Sequence, residues 1–187
     1  MESGNDDRGG HARTWHDVGA GVSKRLVLIR HAKSDWSDSS LRDFDRPLNK
    51  RGNRDAPRMG KLLGQQGVRP DLIISSDALR ARITAELIAR EVGYPLADIR
   101  LSHALYLAAP ATLLAALAEV DESLRCVALV AHNPGMTDLA NQLSDARIDN
   151  LPTSGIFMTE LDEGKWSDFG RRQARFAGFL SPKQNLG

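Results

Sequence analysis

Three short apolar runs, each followed at once by polar residues, constrain this chain more than any other feature. "RLVLIR" (25–30), "DLIIS" (71–75) and "CVALVA" (126–131) are brief and rich in Val, Ile and Leu, the pattern of strands buried on both faces. Between and after them the apolar spacing becomes helical: Ala56, Met59 and Leu63; Leu79, Ile83 and Leu87; Leu113, Leu114, Leu117 and Val120; Met136, Leu139, Ala140 and Leu143. Strands alternating with helices predict an α/β fold, a three-layer α/β/α sandwich with a mostly parallel central sheet. "SGIFMTEL" and "KWSDF", on either side of "DEG", predict a hairpin near the C-terminus.

With 187 residues, 41% of them hydrophobic, the chain suits one domain with a substantial core. Residues 1–24, rich in Gly, Asp and Arg and without a period, read as a flexible tail in which His11 and His16 are solvated. The domain is expected over 25–182, with a C-terminal tail at 183–187. Basic and acidic residues number 25 and 24, a net charge of +1, so no global field favours nucleic acid or an anionic membrane. Any anion preference must be local. No run approaches the roughly 18 apolar residues that span a bilayer, and the N-terminus lacks the basic-then-apolar order of a secretory signal. A cytoplasmic location is the expectation. The single cysteine, Cys126, excludes an intrachain disulfide and a cysteine-rich zinc site, and reads as a buried strand residue.

The polar residues behind the three runs are alike. The first run delivers Arg30 and His31; the second leads through Ser75, Ser76 and Asp77 to Arg80 and Arg82; the third delivers His132 and Asn133. Parallel strands would bring all three sets to the carboxyl edge of the sheet, where open α/β folds bind ligands. Two arginines and two histidines suit a phosphoryl group. Arginine offers a fixed fork of donors that stays charged, a neutral imidazole can attack phosphorus, and a protonated second histidine would stabilise the charge gathering on the equatorial oxygens. Asn133 reads as a helix cap with Pro134 in the first turn. Arg82 points to another part of its helix surface and reads as solvated, and His103 as a surface or packed histidine.

These residues carry a resemblance. "RHAKS" (30–34), "DFDRPLNKRG" (43–52), "SDALRARITAELI" (76–88) and "VAHNPG" (130–135) resemble, in order and spacing, the motifs of the histidine phosphatase, or phosphoglycerate mutase-like, superfamily, and within it the SixA-type phosphohistidine phosphatases. The resemblance runs from about Arg25 to Phe169. It implies the phosphoglycerate mutase-like fold without a large cap insertion, and a phosphatase needing neither metal nor organic cofactor. It also implies His31 as the phosphorylated nucleophile, with Arg30, Arg80 and His132 completing the pocket.

Departures from the pattern bear on the substrate. Ala32 replaces the usual Gly, as in SixA-type members. Ser37 stands where the mutase branch has a phosphate-contacting Asn, so that contact is either weakened or supplied by Ser34 or Asn133. The region of the mutase general acid reads "ALYLAAP" with Leu107, and Asn133 stands where acid phosphatases place Asp. Asp35, Asp43 and Asp45 remain as candidate proton donors; as loop residues they suit turns or pairing with Arg42 and Arg46 equally well.

An alkoxide leaving group needs a proton, whereas a protonated imidazole leaves a phosphoramidate with little help. The missing acid, and a pocket expected to be shallow and open, favour phosphohistidine on a protein. A small phosphate ester or nucleotide, hydrolysed at the same site, and a phosphate-binding scaffold without turnover are the alternatives. Metal hydrolysis is disfavoured, since no H-x-H or H-E-x-x-H spacing occurs.

Overall fold

A computed structural model describes residues 23–186. Six strands form one sheet: β1 (Lys24–Arg30), β2 (Leu72–Ser76), β3 (Arg100–Ser102), β4 (Cys126–Ala131), β5 (Ile156–Leu161) and β6 (Arg175–Leu180). Their order is β3-β2-β4-β1-β5-β6. The first four are mutually parallel, and β5 runs antiparallel to both of its neighbours. The sheet is therefore mostly parallel, as the alternation of runs predicts.

Successive strand residues point to opposite faces, and each face meets its own pair of helices. Leu26, Leu28, Ile74, Val127 and Leu129 pack with Leu113 and Leu117 of α3 (Pro110–Ala118) and Met136, Leu139 and Leu143 of α4 (Gly135–Leu143). Val27, Ile29, Ile73, Ala128 and Val130 pack with Met59 and Leu63 of α1 (Lys50–Gln65) and Ala81, Ala85 and Ile88 of α2 (Leu79–Val92). The result is the three-layer sandwich. Cys126 is buried in β4, and burial pushes its thiol up to about 12.

Several expectations need correction. "KWSDF" is not the second arm of the hairpin: Trp166–Asp168 is a 3₁₀ turn, and β6 pairs with β5 instead, with Phe157 opposite Phe179. Trp166 and Phe169, three residues apart, stack at 5.5 Å and sink into the α3–α4 side of the core. Residues 1–22 of the expected tail, with His11 and His16, lie outside the described residues. Lys24 belongs to β1, where its buried ammonium donates to the Leu124 carbonyl at 3.0 Å. The expected C-terminal tail contains most of α5 (Pro182–Asn185), closed by a 2.9 Å bond from the Ser181 N–H to Asn185 Oδ1.

One close approach fixes the loop that follows β1. A Cβ on Gly52, in the first turn of α1, would lie 2.3 Å from the Lys33 carbonyl oxygen, so only glycine lets the helix seat there. Asn49 caps the same turn by accepting from the Gly52 N–H at 2.9 Å. Among the described residues no helix is long and apolar enough to cross a membrane.

Candidate active site

The carboxyl ends of β1, β2 and β4 bring His31, Arg80 and His132 together. The His31 and His132 rings lie 4.9 Å apart, and Arg80 Nε donates to His31 Nε2 at 3.4 Å. His31 is 9% exposed, so its ring is recessed, where the sequence predicts a shallow pocket. Among the described residues no large insertion follows β1; the connection between β1 and α1 reaches the site through Asp43, which meets Arg80 at 2.8 Å.

The His31 tautomer follows from its neighbours. Nδ1 lies 2.8 Å from the Ala32 carbonyl oxygen, which can only accept, so Nδ1 carries the proton and Nε2 the lone pair. The Arg80 donor on Nε2 requires the same assignment. Burial lowers the His31 pKa to about 4, against the opposing Ala32 bond and with help from the positive charges of Arg80 and Arg30. The ring is neutral at pH 7, with the Nε2 lone pair directed toward Arg80.

Thr84 couples the loop to the helix. Its hydroxyl donates to the Arg80 carbonyl at 2.6 Å and accepts from the Ala32 N–H at 2.9 Å, which sets the start of α2 against the residue beside His31. Arg80 thereby reaches the pocket from a helix N-terminus, an arrangement favourable to anions.

His132 lies 2.9 Å, through Nε2, from the Ser76 hydroxyl, and its buried Nδ1 has no partner among the described residues. Burial, then the neighbouring His31 and Arg80, lower its pKa to about 3. In the free pocket His132 is therefore neutral, so the charge stabilisation that a protonated ring would supply is absent there. Arg30 donates through one terminal nitrogen to the Leu151 carbonyl at 2.9 Å, while its buried Nε has no partner among the described residues. Phosphoryl oxygens would satisfy such donors.

The remaining sequence candidates divide. Asn133 does not cap α4: its amide donates to Asn150 Oδ1 at 2.8 Å and to the Leu151 carbonyl at 3.1 Å, and Pro134 occupies the cap position. It shares the Leu151 carbonyl with Arg30. Ser34 is buried but accepts from the Trp36 indole at 3.1 Å, and exposed Ser37 donates its N–H to Asp35 Oδ1 at 2.8 Å. Asp35 is thereby engaged in a turn and Asp45 pairs with Arg42 at 2.7 Å, so neither is presented as a proton donor. Arg82 lies 3.5 Å from Glu86 on the solvated face of α2, as its spacing predicts.

Asp43 alone of the three carboxylates reaches the site. Its Oδ2 accepts from Arg80 at 2.8 Å and from the Tyr106 hydroxyl at 2.7 Å. Burial opposes ionisation, but the Tyr106 hydroxyl and the Arg80 guanidinium outweigh it and hold the carboxyl below its ordinary range. It is an anion, not a stored proton. Tyr106, which sequence reasoning missed, also presents its edge to His132 at 5.4 Å. Exposed His103 meets Asp77 at 3.1 Å and Phe44 at 5.4 Å on the rim. Leu107, in the region of the mutase acid, is 54% exposed at a positive φ of 50°.

The two buried neutral imidazoles give the fold a pH dependence. Unfolded histidine titrates near 6.5, well above the values held here, so acidification protonates the unfolded chain first and stability falls with pH. Between pH 7 and pH 5, above most carboxylate titration, the loss is expected to be about 2 kcal/mol per ring. Urea unfolding across that window checks it: the dependence should flatten when both rings become Gln, and a wild-type midpoint constant with pH would contradict it.

This arrangement, two imidazoles and two guanidinium groups at the carboxyl edge of a mostly parallel sheet, defines an α/β domain with a cationic pocket. Residues 26–105 match the family model of the histidine phosphatase superfamily, branch 1. An uncharacterised chloroplastic protein of Arabidopsis thaliana is 33% identical over 157 residues, covering 79% of this chain and 71% of the relative. The crystal structure of a protein assigned as phosphohistidine phosphatase SixA from Agrobacterium tumefaciens is 32% identical, with a TM-score of 0.72 over 85% of this chain and 98% of that one. The fold is shared too with a protein histidine phosphatase SixA complexed with tungstate, 23% identical at a TM-score of 0.73 over 87% of this chain and 99% of that one. The chain belongs to the histidine phosphatase superfamily, a family of phosphatase- and mutase-type enzymes, and is of the SixA type.

Proposed function

We propose that the protein hydrolyses phosphohistidine on a protein substrate through a covalent phosphohistidine at His31, without a metal or organic cofactor. The observation that carries this reading is the 2.8 Å bond from His31 Nδ1–H to the Ala32 carbonyl, which leaves the lone pair on Nε2, directed toward Arg80. In the first step His31 Nε2 bonds to phosphorus as the P–N bond to the substrate imidazole breaks, and that ring departs neutral, keeping the proton it already carries. In the second, water attacks phosphorus and the P–Nε2 bond breaks. The Nδ1 proton stays on His31 throughout, so its ring also leaves neutral, and both water protons depart on the phosphate product. Arg30, Arg80 and the His132 ring hold the phosphoryl oxygens in this scheme, with Ser34, Ser37 and Asn133 supporting the surrounding loops.

Neither step demands a general acid, which agrees with Leu107 in the region of the mutase-branch acid and Asn133 where the acid phosphatases place Asp. An ester would release an alkoxide and need one. Phosphate release from a histidine-phosphorylated protein, measured with EDTA present and compared with phenyl phosphate, tests the reading. The expected result is metal-independent release with kcat/KM at least about 10²-fold above that for the ester, the size of a general-acid contribution. An enzyme that prefers the ester would be a small-molecule phosphatase, and phosphate binding without turnover of either substrate would make the domain a scaffold.

A further inference from the structure

Asp43 occupies a position that a phosphate pocket would ordinarily avoid. Its segment, the 3₁₀ turn Asp43–Asp45, lies over the mouth and is pinned from two sides: Arg80 donates to both its carbonyl and its carboxylate, and Phe44 packs edge-on against Tyr106 at 5.1 Å. Both hydrogen bonds to the carboxylate fall on Oδ2, and the side chain is 41% exposed, which leaves Oδ1 without a hydrogen-bond partner among the described residues. The Arg80 guanidinium spans from Asp43 to His31 Nε2, so the carboxylate stands one guanidinium's width from the attacking nitrogen.

A fixed negative charge there repels a phosphoryl dianion and an emerging alkoxide. It attracts a substrate whose phosphorylated ring is itself positive before the P–N bond breaks. The phosphorylated imidazole of a histidine carries a proton on its second nitrogen at neutral pH, and that N–H can donate to a carboxylate oxygen across the mouth. Resting on the phosphohistidine reading above, we propose that Asp43 is the specificity-determining residue for the leaving group: its Oδ1 accepts from the protonated imidazole of the substrate and selects phosphoramidates over esters. The bond it makes holds the leaving ring in line as the P–N bond breaks. The proton stays on that ring, so Asp43 takes and gives none.

Tyr106 is a positioning residue in this scheme. Its hydroxyl fills Oδ2 together with Arg80 and leaves Oδ1 for the substrate.

The test compares wild type, Asp43→Asn and Tyr106→Phe on phosphoimidazole and phenyl phosphate, with thermal unfolding as a check on folding. Asparagine keeps the shape and an acceptor oxygen but removes the charge. Asp43→Asn is expected to lower kcat/KM for phosphoimidazole about 10- to 100-fold, the worth of a hydrogen bond to a charged group, and to raise that for phenyl phosphate, so that the selectivity ratio collapses. Tyr106→Phe should shift the ratio in the same direction by less, because the charge remains. Equal falls on both substrates in a folded Asp43→Asn would overturn the proposal, leaving Asp43 only a structural anchor for Arg80. A wild type active on phosphoimidazole through His31, but with a ratio unmoved in the variant, also overturns it while leaving the phosphohistidine reading intact. A wild type that cleaves phenyl phosphate and ignores phosphoimidazole overturns both.

Discussion

His31→Ala is expected to abolish phosphate release from phosphohistidine and from esters alike, by a factor on the order of 10⁴ or more. The size follows from the site having one imidazole whose tautomer is set by a backbone carbonyl, with its Nε2 lone pair toward Arg80. His31 Nδ1 is committed to Ala32 and Nε2 faces Arg80, whereas His132 Nε2 is engaged with Ser76. Among the described residues no backbone acceptor sets the His132 tautomer in the same way. The remaining guanidinium groups would still bind phosphate, so the variant should keep affinity for inorganic phosphate while losing turnover. Equal rates for wild type and His31→Ala on a folded protein would remove His31 from the chemistry.

The second large effect is expected at Arg80. Arg80→Ala should lower kcat/KM by about 10²–10³-fold, the range for removing one preorganised donor to a charge that develops in the transition state. Part of that loss has a separate origin. Arg80 holds Asp43 through its carbonyl and its carboxylate, so truncation leaves an anion beside the incoming phosphoryl group with Tyr106 as its remaining close partner. The double variant Arg80→Ala/Asp43→Asn should therefore lose less on phenyl phosphate than the two single effects combined, a coupling that a double-mutant cycle measures. Strict additivity would contradict the contact between the two residues.

The features legible in the sequence are those set by local pattern. Short Val/Ile/Leu runs place β1, β2 and β4, and because parallel strands share a carboxyl edge, His31, Arg80 and His132 could be gathered before any coordinate was known. Arg82 was separable from Arg80 by helix geometry alone. What stayed hidden depends on distant pairs. Asp43 meets Arg80 across 37 positions and Tyr106 across 63, and neither loop carries a period that announces the meeting. The charge state of His132 was hidden for the same reason: it reflects burial and the surrounding guanidinium groups rather than residue type. β3 has only three residues and two of them are exposed, so it lacks an apolar run, and β6 carries Ala-Gly at its centre. Trp166 and Phe169 misled in the opposite sense: flanking "DEG", they read as a strand, yet their spacing of three stacks both rings into one core across a 3₁₀ turn.

The central claim is that phosphate passes through His31 Nε2. Brief incubation of the protein with ³²P-labelled phosphoimidazole, a quench in base and peptide mapping test it most directly. The account predicts an acid-labile, base-stable label on the peptide carrying His31, absent from His31→Ala and discharged by water in the wild type. A label that persists in His31→Ala, or turnover of phosphoimidazole with phosphate never found on that peptide, would contradict it.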